Sequence, residues 1–244
     1  MARSVLITDI AHFVGAPAAR RLIADGCAVY GTDAGFGDAA ARAAFEERAP
    51  GVKTLAETDP EKAVAEVIAA EGKLDVLVNN DAFPAIRATI DAFADDDLEA
   101  GFEALVFKCF RVTRAAAKHM KARKEGRIVI MSSAAPMNGL ANYSMYCAAR
   151  GAANALAVAL SKELAPFNVS VNAVAANFVS NPDYFPPELM ADETKAAKIL
   201  KNIPLNRLGE PEEAAALVSY LAGEESGFVT GQVIGFSGGW ANAR

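Results

Sequence analysis

Short apolar runs recur along the chain, separated by longer alanine-rich segments. That alternation is the pattern of repeated strand–helix units. The runs Ser4–Thr8, Cys27–Thr32, Val52–Leu55, Leu74–Asn79, Arg127–Ser132, Ser170–Val174 and Gln232–Phe236 predict strands. The segments Ala16–Asp25, Asp38–Glu47, Pro60–Glu71, Asp95–Arg123, Tyr146–Leu164, Asp192–Lys201 and Pro211–Ala222 predict helices. Gly26, Gly72 and Pro166 supply stops, and Pro60 and Pro211 suit first-turn positions. The expected architecture is α/β: a doubly wound, Rossmann-like parallel sheet of about seven strands with helices on both faces. Ligands of such a sheet sit outside the carboxyl ends of its strands, which directs attention to the residues after Thr8, Asn79, Ser132 and Val174. The 244 residues suit a single domain spanning 1–244, without linker or repeat. The stretch Phe178–Met190 breaks the rule of short connections and carries Pro182, Pro186, Pro187, Tyr184 and Phe185, which reads as a functional loop.

Composition removes several classes of function. With 24 Lys and Arg against 30 Asp and Glu, the chain carries a net charge of −6, which argues against nucleic acid or an anionic membrane as partner. Cys27, Cys109 and Cys147 are scattered without CxxC spacing, as expected of reduced thiols in a cytoplasmic protein. His12 and His119 are the only histidines, too few for a His-rich metal site. No apolar run approaches the length of a membrane helix, and Val5-Leu6-Ile7 is too short for the core of a signal peptide.

The chemistry concentrates in Tyr146-Cys147-Ala148-Ala149-Arg150, where a phenol and a guanidinium share one helix face a turn apart. Ser133 lies 13 residues before Tyr146, at the end of a predicted strand. A free phenol ionises near pH 10, and a fixed cation beside it favours the phenolate. Ser followed by Tyr-x-x-x-basic resembles the short-chain dehydrogenase/reductase family. The resemblance extends to Arg207-Leu208-Gly209-Glu210-Pro211-Glu212 and to Thr230-Gly231-Gln232-Val233 ahead of Gly238-Gly239. The departures from that family are specific. Arg150 stands in place of its Lys. Asp9 and Phe13 stand in place of the first two glycines of its phosphate turn, within Thr8-Asp9-Ile10-Ala11-His12-Phe13-Val14-Gly15. Asn79-Asn80-Asp81-Ala82 and Ala176-Asn177 replace its Asn-Asn-Ala-Gly and Pro-Gly, and the helix Asp95–Arg123 has no Asn.

Together these departures resemble the halohydrin dehalogenase branch, which uses the fold without a nicotinamide. The resemblance implies a conversion of vicinal haloalcohols to epoxides, with release of halide and a proton and without cofactor or metal. It also implies the reverse opening of epoxides by small anions. Tyr146 is then the base, Ser133 the holder of the substrate hydroxyl, Arg150 the tuning cation and Asp81 the anion that orients Arg150. Phe13, Ala176, Asn177 and Phe178 would wall a halide pocket, and Phe83, Pro84, Tyr184 and Phe185 would shape the substrate side. Ser132 competes with Ser133, with strand alternation favouring Ser133, and Tyr143 competes with Tyr146 but has Cys147 four residues on. His12 reads as a structural hydrogen-bonder. Trp240 is expected to pack over the site, against a partner subunit or on its own surface. The branch implies a homotetramer, which the Ala and Gly residues of Tyr146–Leu164 would permit.

Two alternatives stay open. One is an NAD(P)-dependent dehydrogenase or ketoreductase, for which Asp33, 18 residues beyond Gly15, would bind a ribose hydroxyl. The other is a non-catalytic sensor on the same scaffold.

Overall fold

The protein is described here by a computed structural model covering residues 2–182 and 184–241. Seven parallel strands form one sheet: β1 (Ser4–Ile7), β2 (Ala28–Gly31), β3 (Lys53–Thr54), β4 (Val76–Asn79), β5 (Gly126–Ser133), β6 (Val169–Ala176) and β7 (Val233–Phe236). Their spatial order is β3-β2-β1-β4-β5-β6-β7. The order reverses between β1 and β4, and a crevice opens at their carboxyl ends because the following connections leave in opposite directions.

The helices are α1 (Gly15–Ala24), α2 (Ala39–Arg48), α3 (Pro60–Glu71), α4 (Asp95–Phe102), α5 (Lys108–Arg123), α6 (Ala135–Asn138), α7 (Ser144–Leu164), α8 (Pro187–Ala191), α9 (Glu193–Leu200) and α10 (Pro211–Ala222). Alternation along the strands divides the apolar residues between two layers. Val5, Ile7, Val129 and Met131 pack with α1 and α10 on one face. Leu6, Ile128 and Ile130 pack with α3, α5 and α7 on the other. Helix starts follow local chemistry: the Asp59 carboxylate accepts from the N–H groups of Glu61 and Lys62 ahead of Pro60, and Glu210 and Glu213 form a capping box around Pro211.

The helix expected over Asp95–Arg123 is in fact interrupted. A π turn at Glu103–Phe107 separates α4 from α5. The buried positions there, Gly101, Leu105 and Cys109, are spaced by four and four rather than by three and four. Apolar periodicity does not register which carbonyl each N–H reaches, so the break is invisible to it. β5 and β6 each run to the crevice, through Ser133 and Ala176. Among the described residues no helix is long and apolar enough to cross a membrane.

Gly15 is where the turn after β1 enters α1, and a Cβ there would meet the carbonyl oxygen of Ile10. Backbone cannot swing aside as a side-chain tip can. Gly15→Ala is therefore expected to destabilise the fold by about 2 kcal/mol or more, read as a lowered urea midpoint at unchanged slope.

Candidate active site

The turns after β1 and β4 are tied together at the switch point. Asn80 donates its side-chain amide to the carbonyls of Asp9 and His12, each at 2.9 Å. Thr8 Oγ1 donates to Asp81 Oδ1 at 2.8 Å and accepts from the Asn80 N–H at 3.1 Å. The Ala82 N–H reaches Asp9 Oδ2 at 3.2 Å. Asp9 and Phe13 adopt left-handed backbone, φ 42° and 47°, the conformation in which a glycine would be at ease. Phe178, just past β6, does the same at φ 56°.

These turns open onto a cavity of about 300 Å³. Tyr146 and Arg150 line it from α7. Phe13, Ala176, Asn177 and Phe178 line it from the ends of β1 and β6, and Tyr184 and Phe185 from the long loop. Tyr143 lines it as well, immediately ahead of α7. The aromatic rings brace one another: Phe13 meets Tyr184 edge-on at 6.4 Å, and Phe178 lies 6.1 Å from Phe185. Trp240 stacks edge-on against Phe178 at 5.5 Å within its own chain. It thus backs the wall of the cavity.

Arg150 is buried beneath the phenol, with its guanidinium carbon 5.5 Å from the centre of the Tyr146 ring. It donates to the carbonyls of Met131 and Asp81, each at 3.0 Å. Burial works against its charge, but Tyr146, Tyr184 and Asp81 outweigh that and hold the guanidinium above its ordinary range. The expected link between Asp81 and Arg150 therefore exists through different atoms. Arg150 takes the main-chain oxygen of Asp81, because the carboxylate turns the other way, toward Thr8. Burial raises the Asp81 carboxyl to about 6, with Asp9 adding to the rise and Lys108 and Thr8 opposing it.

The two serines divide their roles. Ser132, not Ser133, lines the cavity. The alternation invoked from sequence runs the other way, since Ile128 and Ile130 face α7 and Ser132 continues their face. Ser132 donates its hydroxyl to the Arg150 carbonyl at 3.2 Å, which spends its one proton. Ser133 Oγ accepts from the Ala135 N–H at 3.0 Å and so keeps its proton for another acceptor.

Phe83 and Pro84 are corrections. Neither lines the cavity, where Ala82 and Ala85 stand instead. Phe83 turns away into a satellite cluster around Leu105 and Met145, and its carbonyl accepts from Tyr184 Oη at 2.9 Å. Pro84 is exposed. His12 stands 3.7 Å from Asp33, whose other carboxylate oxygen accepts from the Gly35 N–H. Sequence reasoning missed Lys108, which pairs with Asp9 and lies 3.8 Å from Asp81. The signal available was a lysine one position from the buried Cys109 in an otherwise apolar stretch. Among the described residues no cluster of His, Cys, Asp and Glu could hold a metal.

The match to known proteins is broad. Residues 10–241 match the family described as enoyl-(acyl carrier protein) reductase. A 3-oxoacyl-(acyl-carrier-protein) reductase of Thermotoga maritima is 35% identical over 78% of this chain and 76% of its own. The chain belongs to the short-chain dehydrogenase/reductase superfamily. Among solved structures, a dehalogenation enzyme is 41% identical with a TM-score of 0.95, covering 98% of both chains. A halohydrin dehalogenase bound to ethyl (2S)-oxiran-2-ylacetate is 36% identical with a TM-score of 0.93, covering 99% of this chain and 98% of that one. Within the superfamily the chain falls in the halohydrin dehalogenase branch.

The Asp81 carboxyl fixes a pH dependence of stability in this short-chain dehydrogenase/reductase. Its folded value near 6 lies above the ordinary 3.8, so between these pH values the folded state keeps a proton that the unfolded chain has lost. Stability thus falls as pH rises through the window and levels off above it. Asp81→Asn removes the ionisation. Its stability relative to wild type should improve by up to about 3 kcal/mol between pH 4 and pH 7, measured by urea denaturation across that range.

Proposed function

We propose that the protein is a halohydrin dehalogenase, a cofactor-independent carbon–halogen lyase acting on vicinal haloalcohols. The observation that carries this reading is Phe13: its ring shares the cavity of Tyr146 and Arg150, on backbone suited to glycine. Tyr146 takes the substrate's hydroxyl proton. Ser133, whose hydroxyl proton is uncommitted at the end of β5, is assigned by the family resemblance as donor to the same oxygen, although Ser132 is the serine that lines the cavity. The alkoxide attacks the neighbouring carbon, the carbon–halogen bond breaks, and halide leaves with the bonding pair. Products are epoxide, halide and a proton. Arg150 is always charged and holds its guanidinium beside the phenol.

The departing halide is large, polarisable and weakly hydrated. It suits the positive edges of Phe13 and Phe178. Asn177 Oδ1 accepts from the Phe178 N–H at 3.0 Å, which turns the NH₂ end of that amide into the donor for an anion. By microscopic reversibility, a small weakly hydrated anion bound there opens an epoxide while Tyr146 protonates the oxygen. In the same reading the protein is a cytoplasmic homotetramer, and the exposed Phe107 at the end of the π turn, Phe110 on α5 and Val158 on α7 offer apolar surface for contact between subunits.

The fold implies a dinucleotide, and the residues of the phosphate turn do not fit one. Asp9 places a carboxylate on that turn, held by Lys108 and the Ala82 N–H, and Phe13 places a ring beside it, both opposing close approach of a pyrophosphate to the backbone. Several curated relatives are named 3-oxoacyl-(acyl-carrier-protein) reductases, and a nicotinamide-dependent reductase is the second reading, favoured by Asp33, whose buried Oδ2 has no hydrogen-bond partner. Its Oδ1 nevertheless caps the turn at Gly35, and His12 stands before Oδ2.

The test is incubation with 1,3-dichloro-2-propanol without cofactor. Chloride release is expected, as is azidoalcohol from azide and a terminal epoxide, and Tyr146→Phe should abolish both at unchanged melting temperature. Micromolar NAD(P)H binding without chloride release would establish the reductase instead. The serines give a second test. Ser133→Ala should lower kcat about 100-fold through loss of a donor to the reacting oxygen, and Ser132→Ala by less than about tenfold. The reverse ranking would transfer the role to Ser132.

A further inference from the structure

Behind the cavity, a buried cation faces Asp81 from the side away from substrate. Lys108 is the first residue of α5, directly after the π turn. Its ammonium pairs with Asp9 and lies 3.8 Å from Asp81 Oδ1. Asp9 and Lys108 also line a second groove of about 490 Å³, outside the ends of β1 and β2. Asp81 itself is enclosed. Its main-chain oxygen takes Arg150, its Oδ1 takes Thr8, and its buried Oδ2 has no hydrogen-bond partner. Tyr146, Arg150, Asp81, Lys108 and Asp9 therefore form a continuous series from the substrate cavity to the groove.

We propose that Lys108 is a positioning residue of the reaction: anchored by Asp9, its ammonium keeps Asp81 able to release the proton that each turnover generates, and directs that release into the groove. The proposal rests on the dehalogenase reading. Dehalogenation leaves one proton on Tyr146. Transfer of that proton past Arg150 to the Asp81 carboxylate readies Tyr146 for the next turnover. The proton's release to water from the Oδ1 side, where Lys108 lies between the carboxylate and the groove, restores the carboxylate, and Lys108 remains an ammonium throughout.

The charges around Asp81 make the ammonium decisive. Arg150 approaches from α7, Asp9 from the turn after β1, and the Cys109 thiol from α5 itself. Burial and Asp9 both favour the protonated acid, and Lys108 is the largest opposing influence. The lysine's own burial works against its charge, but Asp81, Asp9 and the more distant Asp33 outweigh it and hold it above the ordinary lysine range. The remaining charged groups of the groove, Glu103 and Arg111, neutralise each other. His12 is engaged with Asp33. No other cation in this set substitutes for Lys108 beside Asp9.

Infrared titration, with Asp81→Asn locating the Asp81 carbonyl band, reads the carboxyl directly without turnover. In Lys108→Met the Asp81 midpoint should rise by about one pH unit or more, because an opposite charge at this range is worth that much. Lys108→Arg should restore it, and Lys108→Gln, which keeps a polar contact with Asp9, gives the same comparison should the methionine variant fold poorly. The acid limb of the chloride-release profile should move upward by the same amount. An unmoved infrared midpoint would overturn the proposal whatever the activity. A moved midpoint with an unmoved kinetic limb would remove Lys108 from the reaction. Absence of chloride release by wild type, together with a raised infrared midpoint in Lys108→Met, would refute the dehalogenase reading while confirming that Lys108 sets the proton affinity of Asp81.

Discussion

Everything at the crevice depends on the hydrogen bonds that lock the turn after β1 to the turn after β4. Asn80 supplies two donors to one turn from the other, and Thr8 joins them a second time through Asp81. These groups are buried, and an unpaired amide or hydroxyl in that position would cost about 1–3 kcal/mol. The lock holds Phe13 at the cavity, and it aims the Asp81 carboxylate at Thr8, leaving only its main-chain oxygen for Arg150. The geometry of the phenol's surroundings is thus settled two strands away from the helix that carries it.

Charge at the site follows a similar economy. Arg150 spends its hydrogen bonds on main-chain carbonyls, so its positive charge is not neutralised by a carboxylate in direct contact. It remains available to the phenol above it. The carboxylates are gathered instead around Lys108. The site separates a cation that acts on Tyr146 from a cation that acts on Asp81, with the Asp81 residue between them.

The seven parallel strands and the helix starts at Pro60 and Pro211 were legible because they rest on local signals: short apolar runs between alanine-rich segments, and prolines suited to a first turn. The spatial order of the strands came from the structure. The grouping of Phe13, Tyr146, Arg150, Asn177 and Phe178 was expected from the family resemblance, and the parallel sheet, which brings the ends of its strands to one edge, sets them around one cavity. What escaped was side-chain direction. Phe83 could turn either into the cavity or into the cluster around Leu105, and only the packing against Met145 decides between them. The choice between Ser132 and Ser133 turned on which hydroxyl proton is already committed. Lys108 escaped because a π turn sets its orientation.

The left-handed residues Asp9, Phe13 and Phe178 carry an evolutionary consequence. A main chain held in a conformation that glycine adopts freely accepts a larger side chain at about 1–2 kcal/mol, without altering its path. The contacts of Asp9 with Lys108 and Ala82, and the ring contacts of Phe13 and Phe178, offset that strain locally. Such positions work as interchangeable sockets. One scaffold can exchange the occupant of its crevice by single-codon steps, each leaving the backbone where it was, so that new chemistry need not wait for a new fold.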